Sequence, residues 1–522
     1  MTGPANSAGN LRDCPEGEMS DQLPWTKIED PAERRKVQNR LNKRASRARK
    51  NLQNSDSLSA PQADGDTTSP WDPVLAVLPR SANRDLLKEG LSANGARAFS
   101  STLASGSILD QAKVLSPLME NQLLRQIWWT GANILWPSLE EGEGPPNKAV
   151  PSSWAWSYTR HAFADPLLFS SLAQATGKAM CVMGHASDRQ LQRSILEYET
   201  KALQHLREEL DSMAPTPRDE LLFAVLMIFP RPRKNNVVRE KDRIGAFRPC
   251  LMTLQHINHG STGWSYDTPH WGALQRLMQE KGGLDKVTMT GLGEFMQLID
   301  LWQASVHLDR PSFGLCRVYL ECEQEVLPLL RLYEQEQGEE FAFPAGAIGH
   351  DLLDVIWDIR SYLRLLHILR TDTGAIDASS KPLARYRNVI QHRLLSLRKI
   401  ESNSTHEACR MGVSIFAYGV TFPFQDMAPM VHYAGTLRQL LVGMKMLQLA
   451  NEFRLWLLMM GAMAMYDTEA VHWYVQEIRT LASEMAVRTW PELKGIMRQF
   501  LWFEPSCNEG ALEVWVLCLT GD

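Results

Sequence analysis

Paired cysteines are missing from this sequence. Its eight cysteines are scattered (Cys14, Cys181, Cys250, Cys316, Cys322, Cys409, Cys507, Cys518) and none forms a C-x-x-C pair. That spacing excludes a zinc ribbon and a disulfide framework, and reduced thiols in an intracellular compartment are expected. Long apolar runs are also lacking. The longest, Leu455 to Tyr466 (LWLLMMGAMAMY), has twelve residues, short of the ~20 that a membrane-spanning helix needs, so no membrane partner is expected. The first residues, MTGPANSAGNLRDCPEGEMSD, lack the apolar stretch of a signal peptide. No Gly-rich phosphate loop follows a strand, and neither G-x-S-x-G nor H-E-x-x-H occurs. No catalytic residue, metal ligand or cofactor is therefore expected, nor an enzyme. Strand-like alternation is scarce as well: GVTFPF (Gly419–Phe424) and ALEVWVLCL (Ala511–Leu519) are the only suspects.

What the sequence has in quantity is apolar residues at helical spacing. It is 522 residues long and 44% hydrophobic, with 16 Trp and 22 Met, enough for a thick, adaptable core. From about Ile108 onward apolar positions recur every three or four residues. The periodicity predicts helices over 165–183, 189–213, 219–229, 271–281, 291–308, 317–337, 350–369, 383–401, 432–465, 468–488 and 491–502, preceded by an amphipathic segment through Trp128. Asp219 and Thr468 read as helix caps, and Pro217, Pro230 and Pro491 as punctuation. The fold class expected is all-α with no fixed-period repeat. The Met-rich run at 455–466 is expected in the core, with a role in an interface as the alternative.

The organisation expected is a disordered segment over 1–24, a basic region over 25–55, a flexible linker over 56–105 and a large helical domain over 106–522. The first segment is small, polar and dotted with Gly and Pro. Within the linker, WDPVLAVLP (Trp71–Pro79) is an apolar island beside Asp64, Asp66 and Asp72. It reads as a clip onto the following domain, or alternatively as a docking motif for a transcriptional coregulator.

Charge is distributed very unevenly. The whole chain is −5, yet Pro31 to Lys50 holds nine Lys/Arg against one acid, Glu33, a net of +8. Asp30 suits an N-cap, Pro31 the first turn, and Glu33 stands three residues after the cap. No Gly or Pro interrupts between Pro31 and Pro61, so one basic helix of about 30 Å fits, long enough to lie along a DNA major groove. At 100° per residue, Asn39, Asn42, Lys43, Ser46 and Arg47 share one face. Asn offers paired donor and acceptor to adenine, and Arg forks onto guanine. Arg35, Lys36, Arg40, Arg44, Arg49 and Lys50 flank that face and suit phosphates. A solvated charge run or a nuclear-import signal is the plainer alternative, and import is compatible with DNA binding.

QNRLNKRASRARK (Gln38–Lys50) resembles the basic region of fungal basic leucine-zipper transcription factors, whose core reads Asn, seven residues, Arg; Asn39 and Arg47 stand at that spacing. The resemblance implies base contacts at Asn39, Asn42, Lys43, Ser46 and Arg47, a double-stranded DNA partner and residence in the nucleus. Two positions depart: the family often has Ala where Asn42 stands, and Ala or Gln where Lys43 stands. A larger departure follows. Heptad positions counted from Leu52 are Ser59, Asp66 and Pro73, and from Leu58 they are Gly65 and Asp72, so no zipper follows. Self-association through residues 106–522 is the expectation, with homodimer and heterodimer both open.

The helical block has its own resemblance. LLRQIWWTGANILWPS (123–138), ADPLLFSSLAQATGKAMC (164–181) and DELLFAVLMIF (219–229) are similar to the regulatory domain of fungal-specific zinc-cluster transcription factors. So are FRLWLLMMGAMAM (453–465), WYVQEI (473–478) and WPELKGIMRQFLWFEPSCNEGALEVW (490–515). The zinc cluster itself is lacking, since Cys14 is the only cysteine before Cys181. The two resemblances together imply a sequence-specific transcription regulator that uses a basic helix where its relatives use zinc. The alternative is a helical enzyme or ligand carrier whose basic segment only localises it.

Two constellations bear on that alternative. Asp351, Asp354 and Asp358 recur along one helix face and could hold Mg²⁺, but an exposed helix face near its start is the plainer reading. His256, His259 and His270 have a metal-like spacing without a companion Cys, and read as satisfied or surface histidines.

Overall fold

The computed structural model describes residues 121–136, 153–181, 188–212, 215–228, 231–232, 244–249, 264–265, 268–336, 342–344, 346–373, 381–400, 403–423, 427–443 and 449–520. The expected segments 1–24, 25–55 and 56–105, the Trp71–Pro79 island, His256 and His259 all lie outside these residues.

The described chain is all-α, as its periodicity requires. In order the helices are α1 (Gln122–Thr130), α2 (Ser153–Ala164), α3 (Pro166–Met180), α4 (Arg189–Asp211) and α5 (Asp219–Ile228). There follow α6 (Thr268–Lys281), α7 (Leu292–His307), α8 (Arg317–Glu321), α9 (Leu327–Glu336), α10 (His350–Thr373) and α11 (Lys381–Ser396). The last group is α12 (Ser404–Phe416), α13 (Met427–Gly443), α14 (Asn451–Met465), α15 (Val471–Glu484), α16 (Trp490–Met497) and α17 (Glu504–Thr520). The extended backbone paired among the described residues is a two-residue antiparallel ladder, β1 (Arg231–Pro232) against β2 (Trp264–Ser265).

Local chemistry sets the helix starts. Asn121 accepts the N–H groups of Leu123 and Leu124, Asp165 that of Leu168, and Asp188 those of Gln190 and Leu191. Each satisfies donors that a first turn leaves without an intrahelical partner. Thr489 and Glu492 form a reciprocal capping box at α16, with Pro491 in the first turn. The two caps expected from sequence are elsewhere. Asp219 is already helical, and its Oδ2 accepts from Thr288 N (2.8 Å) and Met289 N (2.7 Å), holding the turn before α7. Thr468 sits in the turn after α14 and donates to Met465 O at 2.8 Å. In both cases a distant or preceding carbonyl or amide outcompetes the local first turn.

Helix α3 lies among α1, α2, α4 and α5, and is buried on nearly every face from Leu167 to Gly177. Helix α14 is the second centre, packed by α12, α13, α15, α16 and α17. Every residue from Phe453 to Met465 is buried, so the Met-rich run is core, as expected. Its Trp456 stacks on Phe453 and Phe500, meets Phe343 edge-on, and donates Nε1–H to Leu501 O at 3.1 Å. The single helix expected over 432–465 is two, α13 and α14, which pack on each other. That contact needs the chain to turn between them.

Neither suspected strand is one: the first is helical up to Thr421 and the second throughout. GVTFPF begins inside a π-helical turn, Ala417–Thr421, with Gly419 against the Phe247 ring. ALEVWVLCL lies within α17, where Cys507, Gly510, Ala511, Val514, Trp515 and Cys518 are buried. That spacing of three and four is helical, and the β-branched and aromatic content is overridden by packing. Gly510 is required there, because a Cβ would lie 1.6 Å from Ala246 O.

Candidate functional site

The residues assigned to base and phosphate contacts, Arg35 to Lys50, lie outside the described residues. What the described residues assemble is a polar seam through the middle of the helical domain, centred on α11 and its neighbours α7 and α10.

Helix α11 is polar in composition and yet buried, with Arg387, Asn388 and Gln391 at 2%, 0% and 1% exposure. Burial of such groups is tolerable only where each finds a partner. Arg385 Nε donates to Glu294 Oε1 at 2.9 Å, and Asn388 Nδ2 to Tyr319 Oη at 2.8 Å. Gln391 Nε2 reaches Ser305 Oγ at 3.4 Å, and His392 Nε2 donates to Phe313 O at 3.0 Å. Arg387 lies over the Phe422 ring, 5.7 Å from its centroid. Through Glu294, Tyr319, Ser305 and Phe313, one helix is tied to α7, to α8 and to the loop between them.

That loop is fastened from the other side too. Gln297 Oε1 accepts from Cys316 N at 3.0 Å, while Asp300 accepts from Ser312 N at 2.8 Å and Phe313 N at 2.9 Å. Trp271 and Gln275 of α6 both donate to Ser312 Oγ. Burial pushes the Asp300 carboxyl up to about 6, against the pull of the Phe313 and Ser312 N–H groups. Burial likewise pushes the His392 imidazole down, so it is neutral and its Nε2–H faces the Phe313 carbonyl. The thiols of Cys316 and Cys322 are pushed up to about 12 by burial, which leaves them protonated and poor nucleophiles.

The acidic face of α10 resolves differently from its sequence reading. Asp351 is exposed at the helix start, as expected. Asp358 is buried, and its carboxylate meets both Arg331 and Arg393; Asp354 meets Arg331 at 2.9 Å. Burial pushes the Asp358 carboxyl up, opposed by the two guanidiniums. The Asp354 and Asp358 carboxylates, two of the three a divalent cation would use, are thus engaged by arginine. Among the described residues no group of three or more His, Cys, Asp or Glu side chains is placed to hold a metal ion. His270 sits half-buried in the first turn of α6. Also among the described residues, no helix is long and apolar enough to cross a membrane.

Sequence reading missed Gln297, Asp300, Asn388 and Gln391. The available signal was a polar residue every three residues inside apolar helical stretches, Gln297 with Asp300 and Asn388 with Gln391. The chemistry of the seam is hydrogen bonding and ion pairing, which fixes the relative placement of α6 to α11.

No family model matches the sequence, and neither a curated protein nor a solved structure is significantly similar to it.

Proposed function

We propose that the chain is a sequence-specific DNA-binding transcription regulator that acts in the nucleus. The observation that carries this reading is the concentration of net +8 in Pro31–Lys50 of a chain that is −5 overall, with Asn39, Asn42, Lys43, Ser46 and Arg47 on one helical face. The basic segment folds on double-stranded DNA, sets Asn39 and Arg47 against base edges in the major groove, and uses Arg35, Lys36, Arg40, Arg44, Arg49 and Lys50 on phosphates. The helical domain serves as the regulatory part, which passes its state to the DNA-bound segment and to transcriptional coregulators. Its tightly cross-tied seam suits a body that moves as a unit.

The test is binding-site selection on the purified full chain, followed by mobility shift on the selected duplex with random competitor DNA. Retention of the selected duplex at competitor excess supports the reading. Recovery of no preferred sequence, with all retention lost at moderate competitor, would instead favour a helical enzyme or carrier whose basic segment only localises it.

A further inference from the structure

The protonation state of His406 is fixed by its neighbours. The residue is buried in the first turn of α12, 2% exposed, and its Nδ1 accepts the backbone N–H of Gly349 at 3.0 Å. An imidazole nitrogen that accepts carries no hydrogen, so the ring is neutral and its hydrogen sits on Nε2. That Nε2 is buried and has no hydrogen-bond partner among the described residues. The ring also packs closely on the glycine: a Cβ at Gly349 would stand 3.3 Å from His406 Cε1.

A second bond runs beside the first. Asn403 caps α12 by accepting the His406 N–H at 2.9 Å, and it donates its own Nδ2–H to Ala347 O at 2.8 Å. His406 and Asn403 thus hold residues 346–349, the turn before α10, on the start of α12. That turn joins two parts of the domain. On one side Phe343 packs edge-on against Phe453, Trp456 and Phe500 at the α14 centre. On the other, α10 carries Asp358 into the polar seam.

We infer that His406 is an acid-sensitive latch, whose protonation releases the turn at 346–349 from the start of α12. An imidazolium carries hydrogens on both nitrogens, so Nδ1–H would face the Gly349 N–H and neither group could accept. One hydrogen bond is lost and buried donors are left unmet. The charges around the ring are divided. From α12 itself Glu407 favours the imidazolium and Arg410 opposes it, and from α10 Asp351 favours it. The segment before α12 brings Ile400 against Gly349, with Arg398 and Lys399 exposed. Glu407 is already engaged, its Oε1 by the Ile400 N–H and its Oε2 by the Arg410 guanidinium, so it does not serve Nε2–H. Burial outweighs the two acids and pushes the ring below its ordinary 6.5. The closed turn therefore binds the proton more weakly than the open one. The latch is closed above about pH 6.5 and opens as pH falls below it, with the opening constant rising at most about tenfold per pH unit. This device goes beyond the DNA-binding reading and does not rest on it.

Hydrogen exchange of the full chain, read by mass spectrometry at about pH 7.5 and pH 5.0 and normalised to the intrinsic rate at each pH, tests the latch. Protection over 346–352 should fall roughly threefold or more at the lower pH, while peptides within α14 keep theirs. His406→Asn offers an acceptor near the Nδ1 position and does not titrate, so its protection over 346–352 should be alike at both values. Asp351→Asn, at an exposed position, removes a charge that favours the imidazolium in the closed turn. It should deepen the fall at the lower pH and leave protection at the higher pH unchanged. Constant protection in the parent chain, the same acid fall in His406→Asn, or a fall no deeper in Asp351→Asn would each overturn the proposal. The parent chain and Asp351→Asn decide the matter even where His406→Asn fails to fold. DNA binding is not read in any arm, so its failure leaves this result standing.

Discussion

Asp300 Oδ2 accepts the backbone N–H of Phe313 at 2.9 Å, and the side chain that does so is fully buried. One carboxylate in α7 thereby holds the loop that α11 grips from the opposite side through His392.

The first prediction concerns pH. The folded pKa of Asp300 is about 6 against an ordinary 3.8, so between those values the native state binds the extra proton. Stability from this group is fully present below pH 4 and is lost as pH rises to 6, by roughly 3 kcal/mol. Urea unfolding of the parent chain and of Asp300→Asn across pH 4–7 should show that fall only in the parent chain. Parallel curves would refute it.

A second prediction separates the acids of α10. Asp358→Ala removes the buried carboxylate that Arg331 and Arg393 share and leaves them Asp354, and should cost about 1–3 kcal/mol in unfolding free energy. Asp351→Ala, at an exposed position, should stay within about 0.5 kcal/mol. Millimolar magnesium should leave the melting temperature unchanged, and a clear rise would reinstate a cation site on this helix.

Two glycines give a matched pair. Gly510→Ala drives a Cβ into Ala246 O and should destabilise by at least ~2 kcal/mol, because the obstacle is backbone. Gly495→Ala meets nothing within 4 Å inside α16 and should be neutral or stabilising by up to ~1 kcal/mol, from helix propensity. Thermal unfolding monitored by circular dichroism reads both.

The DNA-binding proposal predicts a split among basic-segment variants. Asn39→Ala and Arg47→Ala should each weaken the selected duplex by about 1–3 kcal/mol more than random duplex, whereas Arg49→Ala should weaken both alike. If about six phosphates are neutralised, log K falls against log salt with a slope near −5. A flat salt response, or equal losses on both duplexes for Arg47→Ala, would contradict the assigned roles.

By itself the sequence determined the fold class and most of the helices, because apolar spacing of three and four is a local property that survives folding. It marked 455–466 as core for the same reason. Three helices escaped it. α2 and α12 carry Ser, Thr and His among their apolar residues, which blurs the period, and α17 carries the Val, Trp and Leu content of a strand. Only the tertiary structure decided that α17 is helical, since what selects it is the seating of Gly510 and Ala511 against neighbours far along the chain.

Tertiary structure also decided the polar seam. Asp358 and Arg393, Glu294 and Arg385, and Asp300 and Phe313 lie too far apart in sequence for any local pattern to pair them, and an acidic helix face reads alike whether arginine or water covers it. The same limit applies to α4. Leucines occur on two of its faces, but which one meets the core depends on where α3 and α5 lie. Periodicity records that a face is apolar; only packing determines what covers it.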